Sequence, residues 1–260
     1  MKIAIFTNPD RDIEKDEIQN EVSQVALSLG FEIDKDNPDV VFACGGDGTL
    51  LRAVHYYFDK LDKIAFCGVN FGHLGFFYDY ERDEIAIALK AILSNEMRST
   101  KHRLLKGEIE ENDGKISSVY AVNEFRIENN LKPLIATIYF DDEMFENFIG
   151  TGLTVSSSVG STAYNLTLGG AAVSCELETL QMTPIQPSTQ CKCFKSSVIL
   201  PVDKKIHIDG LLNNVLLGYD YVVKERQSFK SITISSSEIT FTLLNKIGTH
   251  SLSKLKKLYN

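Results

Sequence analysis

The sequence contains no tryptophan, and its five cysteines form neither a zinc-binding spacing nor an even set for a disulfide framework. Only Cys191 and Cys193 lie close together, so we interpret the cysteines as reduced thiols of a cytoplasmic protein. No apolar run approaches the roughly 18–20 residues that a membrane helix needs. The apolar start of the chain is too short for a signal peptide and turns polar at once. We therefore expect no membrane partner.

Basic residues are fewer than acidic ones: the chain has 27 Lys and Arg against 35 Asp and Glu, which gives a net charge of −8. A nucleic-acid binder usually carries a basic face, so this balance argues against a nucleic-acid partner. Anionic ligands stay possible, because backbone N–H groups hold phosphate without positive side chains. The 260 residues suffice for one large domain or two modest ones.

The first third of the chain alternates short apolar runs with helical stripes. The runs cover residues 3–6, 40–43 and 64–69, and each is suited to a buried parallel strand. Between the first two, apolar residues recur at helical spacing and Gly30 is a plausible helix stop. Residues 1–98 are therefore predicted to form an α/β domain with a parallel sheet.

The pattern changes near Met97, and short alternating runs follow to about Phe241. Asn112, Asp113 and Gly114 are a strong hairpin signal, because glycine accepts the positive φ that such a turn demands. Residues 99–260 are predicted to form an all-β, sandwich-like domain. The tail of the chain is basic and weakly helical.

The most informative motif is Gly45-Gly46-Asp47-Gly48-Thr49, which stands between a strand and a helix. In this context glycines let backbone N–H groups approach a phosphate. The motif lacks the Gly-Lys-Ser/Thr ending of a Walker loop and the G-x-G-x-x-G dinucleotide fingerprint. Its aspartate could act as a base, hold a magnesium ion, or simply cap the helix.

Three further segments carry polar or glycine-rich patterns. Residues 68–77 follow the third strand and include His73, for which a packing role is favoured over a catalytic one. Asn123 and Glu124 interrupt an apolar strand, and one of them should point inward, where a ribose would supply hydrogen bonds. Residues 156–173 combine small hydroxyl residues with Tyr164, whose ring could stack on a base.

Taken in order, the GGDGT motif, residues 68–76, Asn123-Glu124 and residues 160–164 resemble the NAD kinases, bacterial type. The resemblance implies an α/β domain and a β-sandwich domain with NAD bound in the cleft between them. It implies transfer of a phosphoryl group from ATP, or polyphosphate, to the adenosine 2′-hydroxyl of NAD. It also implies a chain end that packs back on the first domain, a homo-oligomer, either a dimer or a tetramer, and Mg²⁺ or another divalent cation with ATP. We predict no metal site of the protein's own.

The same resemblance assigns roles to individual residues. Asp47 is the expected general base, and Thr162, Ala163 and Tyr164 line the adenine pocket with Thr167 at its rim. Asp209, in the "HIDG" segment, matches a stretch near the nicotinamide end. The expected NAD-binding set is Asp47, Gly48, Asn123, Glu124, Thr151, Thr162, Ala163, Tyr164, Thr167 and Asp209. The expected phosphate-binding set is Gly45, Gly46, Gly48 and Thr49.

The sequence departs from the family pattern at Thr151, where the family usually has an aspartate, and at Ser158 and Val159, where it usually has proline and threonine. These changes lie in the expected pocket and leave Asp47 in place. Two alternatives therefore stay open. One is a diverged NAD- or nucleotide-binding protein without turnover. The other is a lipid kinase of the same superfamily, which leaves residues 70–77 and 160–165 unexplained.

Overall fold

The computed structural model describes residues 1–8, 12–71, 75–190, 192–210, 212–249 and 251–256. The chain packs into two compact units, the first made of Met1–His102 with Ile239–Asn260 and the second of Arg103–Glu238. We predicted a boundary after residue 98 and a tail that returns to the first domain. The last long strand begins in the second unit and ends in the first.

The strands are β1 (Lys2–Thr7), β2 (Glu32–Ile33), β3 (Val40–Gly45), β4 (Ala65–Asn70), β5 (Tyr80–Glu81), β6 (Met97–Glu110), β7 (Ile116–Ala121), β8 (Glu124–Glu128), β9 (Leu134–Phe140), β10 (Glu143–Ser157), β11 (Thr179–Pro187), β12 (Val198–Pro201), β13 (Lys205–Gly210), β14 (Asn213–Tyr219), β15 (Val222–Ser228) and β16 (Ser231–Lys246). The helices are α1 (Asp12–Ser28), α2 (Asp47–Tyr56), α3 (Ile85–Leu93), α4 (Tyr164–Thr167) and α5 (Ser251–Lys256), with 3₁₀ turns at Phe58–Lys60, Arg82–Glu84 and Val159–Thr162.

The first unit contains the predicted parallel sheet. Its strand order is β4-β3-β1-β2, β5 pairs with β4, and the end of β16 joins the free edge of β4 in parallel. Strand β3 is buried along Val40–Cys44, as expected where helices cover both faces of a parallel sheet. Side chains of β1, β3, β4, α1 and α3 form one core.

Helix α1 ends where its glycine predicts. Gly30 has φ of +88°, and the N–H of Phe31 reaches back to the carbonyl of Ala26 at 3.1 Å. This is the hydrogen bond of a Schellman ending, in which glycine takes the left-handed conformation without a Cβ penalty. The predicted stop is confirmed.

The second unit is antiparallel, with the order β15-β14-β8-β10-β9-β13-β16 and with β11 bridging β10 and β12. The predicted hairpin joins β6 to β7, where Gly114 has φ of +85° and the N–H of Glu111 bonds the carbonyl of Lys115 at 2.8 Å. The core of this unit contains side chains from strands far apart in that order, including Phe125 on β8, Phe148 on β10 and Ile232 on β16. The predicted β-rich class is confirmed.

Strand β10 changes layers at Gly150–Gly152. Phe148 and Leu153 both enter the core, although side chains five positions apart face opposite sides of a regular strand. A Cβ on Gly152 would meet the backbone of Ile127 and Glu128, so the close approach at this corner needs glycine. Thr151 therefore lies at a bend between two layers of the sandwich.

Candidate active site

The GGDGT motif forms the turn between β3 and α2. Gly46 is the N-cap of α2, and the helix begins at Asp47 without a side-chain capping bond. A Cβ on Gly45 would collide with the side chain of Thr49, whereas Gly46 and Gly48 have open space around them. The fold therefore uses Gly45 and the buried Thr49 for packing, and it leaves Gly46 and Gly48 open to a ligand.

The Asp47 carboxylate accepts hydrogen bonds from a distant backbone segment. The N–H of Phe76 lies 3.0 and 2.9 Å from its two oxygens, and the N–H of Phe77 lies 3.2 Å from Oδ1. These bonds explain why the side chain does not cap its own helix. They hold the carboxylate in one orientation at the positive end of the α2 dipole.

We call residues 75–79 the clamp segment, because Tyr78 in this segment contacts the motif at one further place and packs against β4. The Tyr78 hydroxyl donates to the Gly46 carbonyl at 3.0 Å, and its ring fills the space that a side chain at position 68 would need. Burial raises the pKa of Tyr78 well above its ordinary value, and the nearby Asp47 charge adds to the shift. Tyr78 therefore stays a neutral donor. The adjoining residues 72–74, with His73, lie outside the described residues.

In the second unit, β8, β10 and β11 have one apolar face and one polar face. On the polar face, Glu124 pairs with Ser156 and Arg126 pairs with Thr154 across the β8–β10 ladder. The next strand continues the two rows with Gln181 and Thr183. Ser156, Thr154, Gln181 and Thr183 are all buried, so this polar face is covered rather than exposed to solvent.

The cover is the segment that follows β10. The N–H of Gly160 bonds the Ser157 hydroxyl at 3.0 Å, and that hydroxyl bonds the Val122 carbonyl at 2.7 Å. Gly160 lies so close to the backbone of Asn123 that a Cβ would clash with it. The 3₁₀ turn and α4 therefore lie against Asn123, which brings Thr162, Ala163 and Tyr164 to the Asn123-Glu124 pair.

Several polar atoms of this region are buried without a hydrogen-bond partner among the described residues. They are Asn123 Oδ1, Glu124 Oε2, Arg126 Nε, Thr154 Oγ1 and Ser156 Oγ. A buried polar atom without a partner costs free energy, so native proteins seldom leave several together. The cluster is suited to a ligand that both donates and accepts hydrogen bonds.

Burial, together with the charge of the neighbouring Asp220, raises the pKa of Glu124 to about 8, and Arg126 opposes part of this shift. The Asp220 carboxylate accepts from the N–H groups of Val122 and Asn123 at 2.8 and 2.7 Å. At neutral pH the Glu124 carboxyl is therefore mostly protonated. It then offers both a donor and an acceptor.

Comparison with known proteins identifies the family. The sequence profile of the ATP-NAD kinase N-terminal domain matches residues 1–97, and that of the ATP-NAD kinase C-terminal domain matches residues 122–243. An NAD kinase of Levilactobacillus brevis is 35% identical over 222 residues, which cover 84% of this chain and 82% of that protein. The chain belongs to the NAD kinase family.

Further NAD kinases agree with this assignment. One of Streptococcus pyogenes serotype M1 is 38% identical over 181 residues, which cover 68% of this chain and 65% of that protein. Among solved structures, yeast NADH kinase complexed with NADH has a TM-score of 0.85 at 18% identity and covers 100% of this chain and 87% of its own. An NAD kinase from Archaeoglobus fulgidus in complex with ATP has a TM-score of 0.77 at 20% identity and covers 100% and 97%. These likenesses confirm the predicted fold class.

Three residues expected from the NAD kinase pattern lie at a distance along the chain from the Asn123-Glu124 pair. Thr167 is near Tyr164, whose carbonyl accepts its hydroxyl at 2.7 Å. Thr151 lies at the β10 corner and donates to Gln186 Oε1 at 3.1 Å. Asp209 is on β13, and both β9 and β10 lie between β13 and β8 in the strand order. Asp209 therefore pairs with Thr137 and Ser231 on the neighbouring strands and not with β8.

The Asn123-Glu124 pair also differs in detail from our reading. We expected one strand with one inward side chain, but β7 ends at Ala121, β8 begins at Glu124, and both Asn123 and Glu124 are buried. The break arises because Asp220 binds the N–H groups of Val122 and Asn123, which would otherwise belong to a strand ladder.

Sequence reasoning missed Arg126 and Asp220 in this NAD kinase site. Arg126 lies two residues beyond Glu124, and its guanidinium lies 4.9 Å from the centre of the Tyr164 ring. Gly218 opposite it on β14 has no side chain and leaves room for the guanidinium. The period of two along β8 predicts the shared face of Glu124 and Arg126, but only the tertiary pairing brings Asp220 there.

Within the part of the chain that the structure describes, no helix is long and apolar enough to cross a membrane.

Proposed function

We propose that this member of the NAD kinase family transfers the γ-phosphoryl group of ATP to the adenosine 2′-hydroxyl of NAD and so forms NADP. The observation that carries the proposal is the Asp47 carboxylate, oriented by the N–H groups of Phe76 and Phe77 beside the open Gly46 and Gly48. Full-length relatives named NAD kinase support the choice of substrate.

In the proposed reaction Asp47 is the general base. The 2′-hydroxyl gives its proton to the Asp47 carboxylate, and its oxygen bonds to the γ-phosphorus of ATP. The bond from that phosphorus to the bridging oxygen breaks, and ADP leaves with the electron pair. A positioned base of this kind contributes about 10²–10⁴ in rate. Orientation matters as much, and the two backbone donors supply it without side-chain entropy.

Phosphate binding is assigned to the turn. The backbone of Gly45, Gly46 and Gly48 and the start of α2 present N–H groups and the positive helix end, which suit an anion. Thr49 supports the turn rather than donating to phosphate, since its buried side chain packs against Gly45 and its N–H donates to the Gly46 carbonyl at 2.8 Å.

The divalent cation is proposed to enter with ATP. Among the described residues no group of three or more His, Cys, Asp and Glu side chains is arranged to hold a metal. Mg²⁺ commonly binds through phosphate oxygens and water with few protein ligands. Such an ion neutralises phosphate charge as the phosphoryl group transfers.

The adenosine end of NAD is assigned to the Asn123-Glu124 end of the polar face, beside the 3₁₀ turn that follows β10. Glu124 and Asn123 offer hydrogen bonds to ribose hydroxyls or to the adenine edge, and their unpartnered oxygens would gain partners. Thr162, Ala163 and Tyr164 supply a wall, with the Tyr164 ring held over Arg126 for stacking. Thr151, Thr167 and Asp209 remain proposed NAD contacts at the edges of the site. Assembly as a dimer or tetramer and residence in the cytoplasm are part of the proposal.

The test is direct. The purified protein is incubated with NAD and MgATP, and separately with NAD and polyphosphate, and NADP is detected with an NADP-specific dehydrogenase. NADP from ATP that disappears in Asp47→Asn supports the proposal, and the polyphosphate arm defines the donor range. No NADP from either donor would overturn it.

A binding protein without turnover is the second candidate. Thr151 favours it, because the usual aspartate of the family is replaced and the threonine hydroxyl is bonded to Gln186 within the chain. Calorimetry separates the two. NAD binding without NADP formation is the result expected of the second candidate alone.

A further inference from the structure

The C-terminal tail contacts the clamp segment through one buried carboxylate. Asp79, the last residue of the clamp segment, is 3% exposed, and its Oδ1 lies 2.9 Å from Nζ of Lys254 on α5. Its Oδ2 accepts from the Asn245 amide and from the Lys246 N–H, both at 3.0 Å. Lys254 of α5 and two groups at the end of β16 therefore converge on Asp79.

Lys254 is itself buried, which is unusual for a lysine and requires a partner for its charge. His102 lies near it, and burial lowers the pKa of His102 to about 4, with Lys254 and Arg98 adding to the shift. His102 is thus neutral at physiological pH and adds no charge that would repel Lys254. The charge of Lys254 is paired with the carboxylate of Asp79.

The other end of the same short segment holds Asp47. Phe76 and Phe77 donate to the carboxylate, and Asp79 follows two residues after Phe77. Because only Tyr78 separates Phe77 from Asp79, we expect a displacement of Asp79 to move the Phe77 N–H as well. A continuous path of contacts thus runs from Lys254 through Asp79 and the Phe76 and Phe77 amides to Asp47.

We propose that Lys254 is a positioning residue: by holding Asp79 it fixes the clamp segment where the Phe76 and Phe77 N–H groups orient the Asp47 carboxylate. The proposal rests on the proposed function for its effect on turnover. The contact between tail and clamp segment is independent of that function. Lys254 touches neither substrate nor reacting atoms in this role.

The test compares Lys254→Met with Lys256→Met in the full chain. Lys256 lies in the same helix and is exposed, so its variant controls for the loss of one positive charge. Lys254→Met is expected to speed amide hydrogen exchange at Phe76 and Phe77, measured by NMR. It is expected to lower kcat about tenfold, because a slightly misplaced catalytic group loses rate without losing substrate affinity. KM for NAD should change by less than about twofold.

Lys254→Arg should restore both readouts, since it keeps a positive charge beside the Asp79 carboxylate. If Lys254→Met does not fold, Lys254→Gln, which removes the charge but keeps a polar end, is measured in its place. Unchanged exchange at Phe76 and Phe77 in a folded variant overturns the proposal, and so does faster exchange with an unchanged kcat. If the unaltered protein forms no NADP, the proposed function fails, and the exchange rates alone decide whether Lys254 holds the clamp segment.

Discussion

Asp47 and Glu124 are two acidic side chains in opposite situations. The Asp47 carboxylate has hydrogen-bond partners within its own unit, since two backbone N–H groups donate to its oxygens. Glu124 is 4% exposed, and its Oε2 has no partner among the described residues. The first carboxylate is oriented before any ligand arrives. The second lies in a region whose hydrogen-bonding groups are left for a ligand.

This contrast has a physical basis. A base must present a fixed lone pair to the hydroxyl that it deprotonates, so its orientation is best set by rigid backbone. A binding pocket gains affinity when buried polar atoms find partners only in the complex, although the free protein is less stable for it. The region around Asp47 is therefore suited to orienting a catalytic base, and the region around Glu124 is suited to binding a ligand.

The largest expected effect tests the oriented carboxylate. Asp47→Asn keeps the shape and can still accept from Phe76 and Phe77, but it cannot take a proton at neutral pH. We expect turnover to fall by at least about 10²-fold, with NAD binding largely kept. Steady-state kinetics and calorimetry on the same preparation measure both. A near-normal rate would remove Asp47 from the role of base.

The second prediction concerns Glu124 and pH. Because its pKa is raised from 4.5 to about 8, the folded protein retains a proton that the unfolded chain loses above 4.5. The native protein therefore loses stability relative to Glu124→Gln as pH rises from about 4.5 to 8, by up to about 1.4 kcal/mol per pH unit. Above the folded pKa the difference becomes constant.

Urea unfolding of the two proteins between pH 5 and 9 measures this difference. Glu225→Gln is the control, since Glu225 is exposed on β15 of the same unit. A pH-independent difference between Glu124→Gln and the unaltered protein would mean that Glu124 ionises as an ordinary glutamate does. Glu124 would then differ from Asp47 in its hydrogen bonding but not through a raised pKa.

A third change disturbs the cover of the polar face. In Gly160→Ala the new methyl group would meet the Asn123 backbone, which cannot move aside as a flexible side chain could. We expect a loss of about 1–3 kcal/mol in the free energy of unfolding, typical of overpacking. NAD binding should weaken as well, because Asn123 shifts. An unchanged urea midpoint would show that the cover and Asn123 move independently.

The smallest expected effect is at the β10 corner. Thr151→Asp restores the carboxylate that the family usually has, and it is expected to tighten NAD binding by about threefold, as for a partly exposed polar contact. Calorimetry with NAD measures it. Unchanged or weaker binding would show that the corner, with its Thr151–Gln186 bond, is built around threonine.

Much of the fold follows from local pattern. The buried runs of β3 and β4, the stop at Gly30 and the hairpin at Gly114 were all predicted, because each depends on residues that are near in sequence. The division into units is harder to predict from the sequence. It depends on the pairing of β16 with β4, in which Thr242 lies opposite Ala65, 177 positions away. Pairings of that range leave no local signal.

By itself, the sequence determined the class of each domain, the place of Asp47 at a strand-to-helix turn, and the adjacency of Asn123 and Glu124. Tertiary structure alone decided that Phe76 and Phe77 orient Asp47, that Asp220 breaks the strand before Glu124, and that Lys254 is buried against Asp79. The physical reason is range. Conformational preference and apolar periodicity act over a few residues, whereas a hydrogen bond or an ion pair between distant segments exists only once the whole chain has packed.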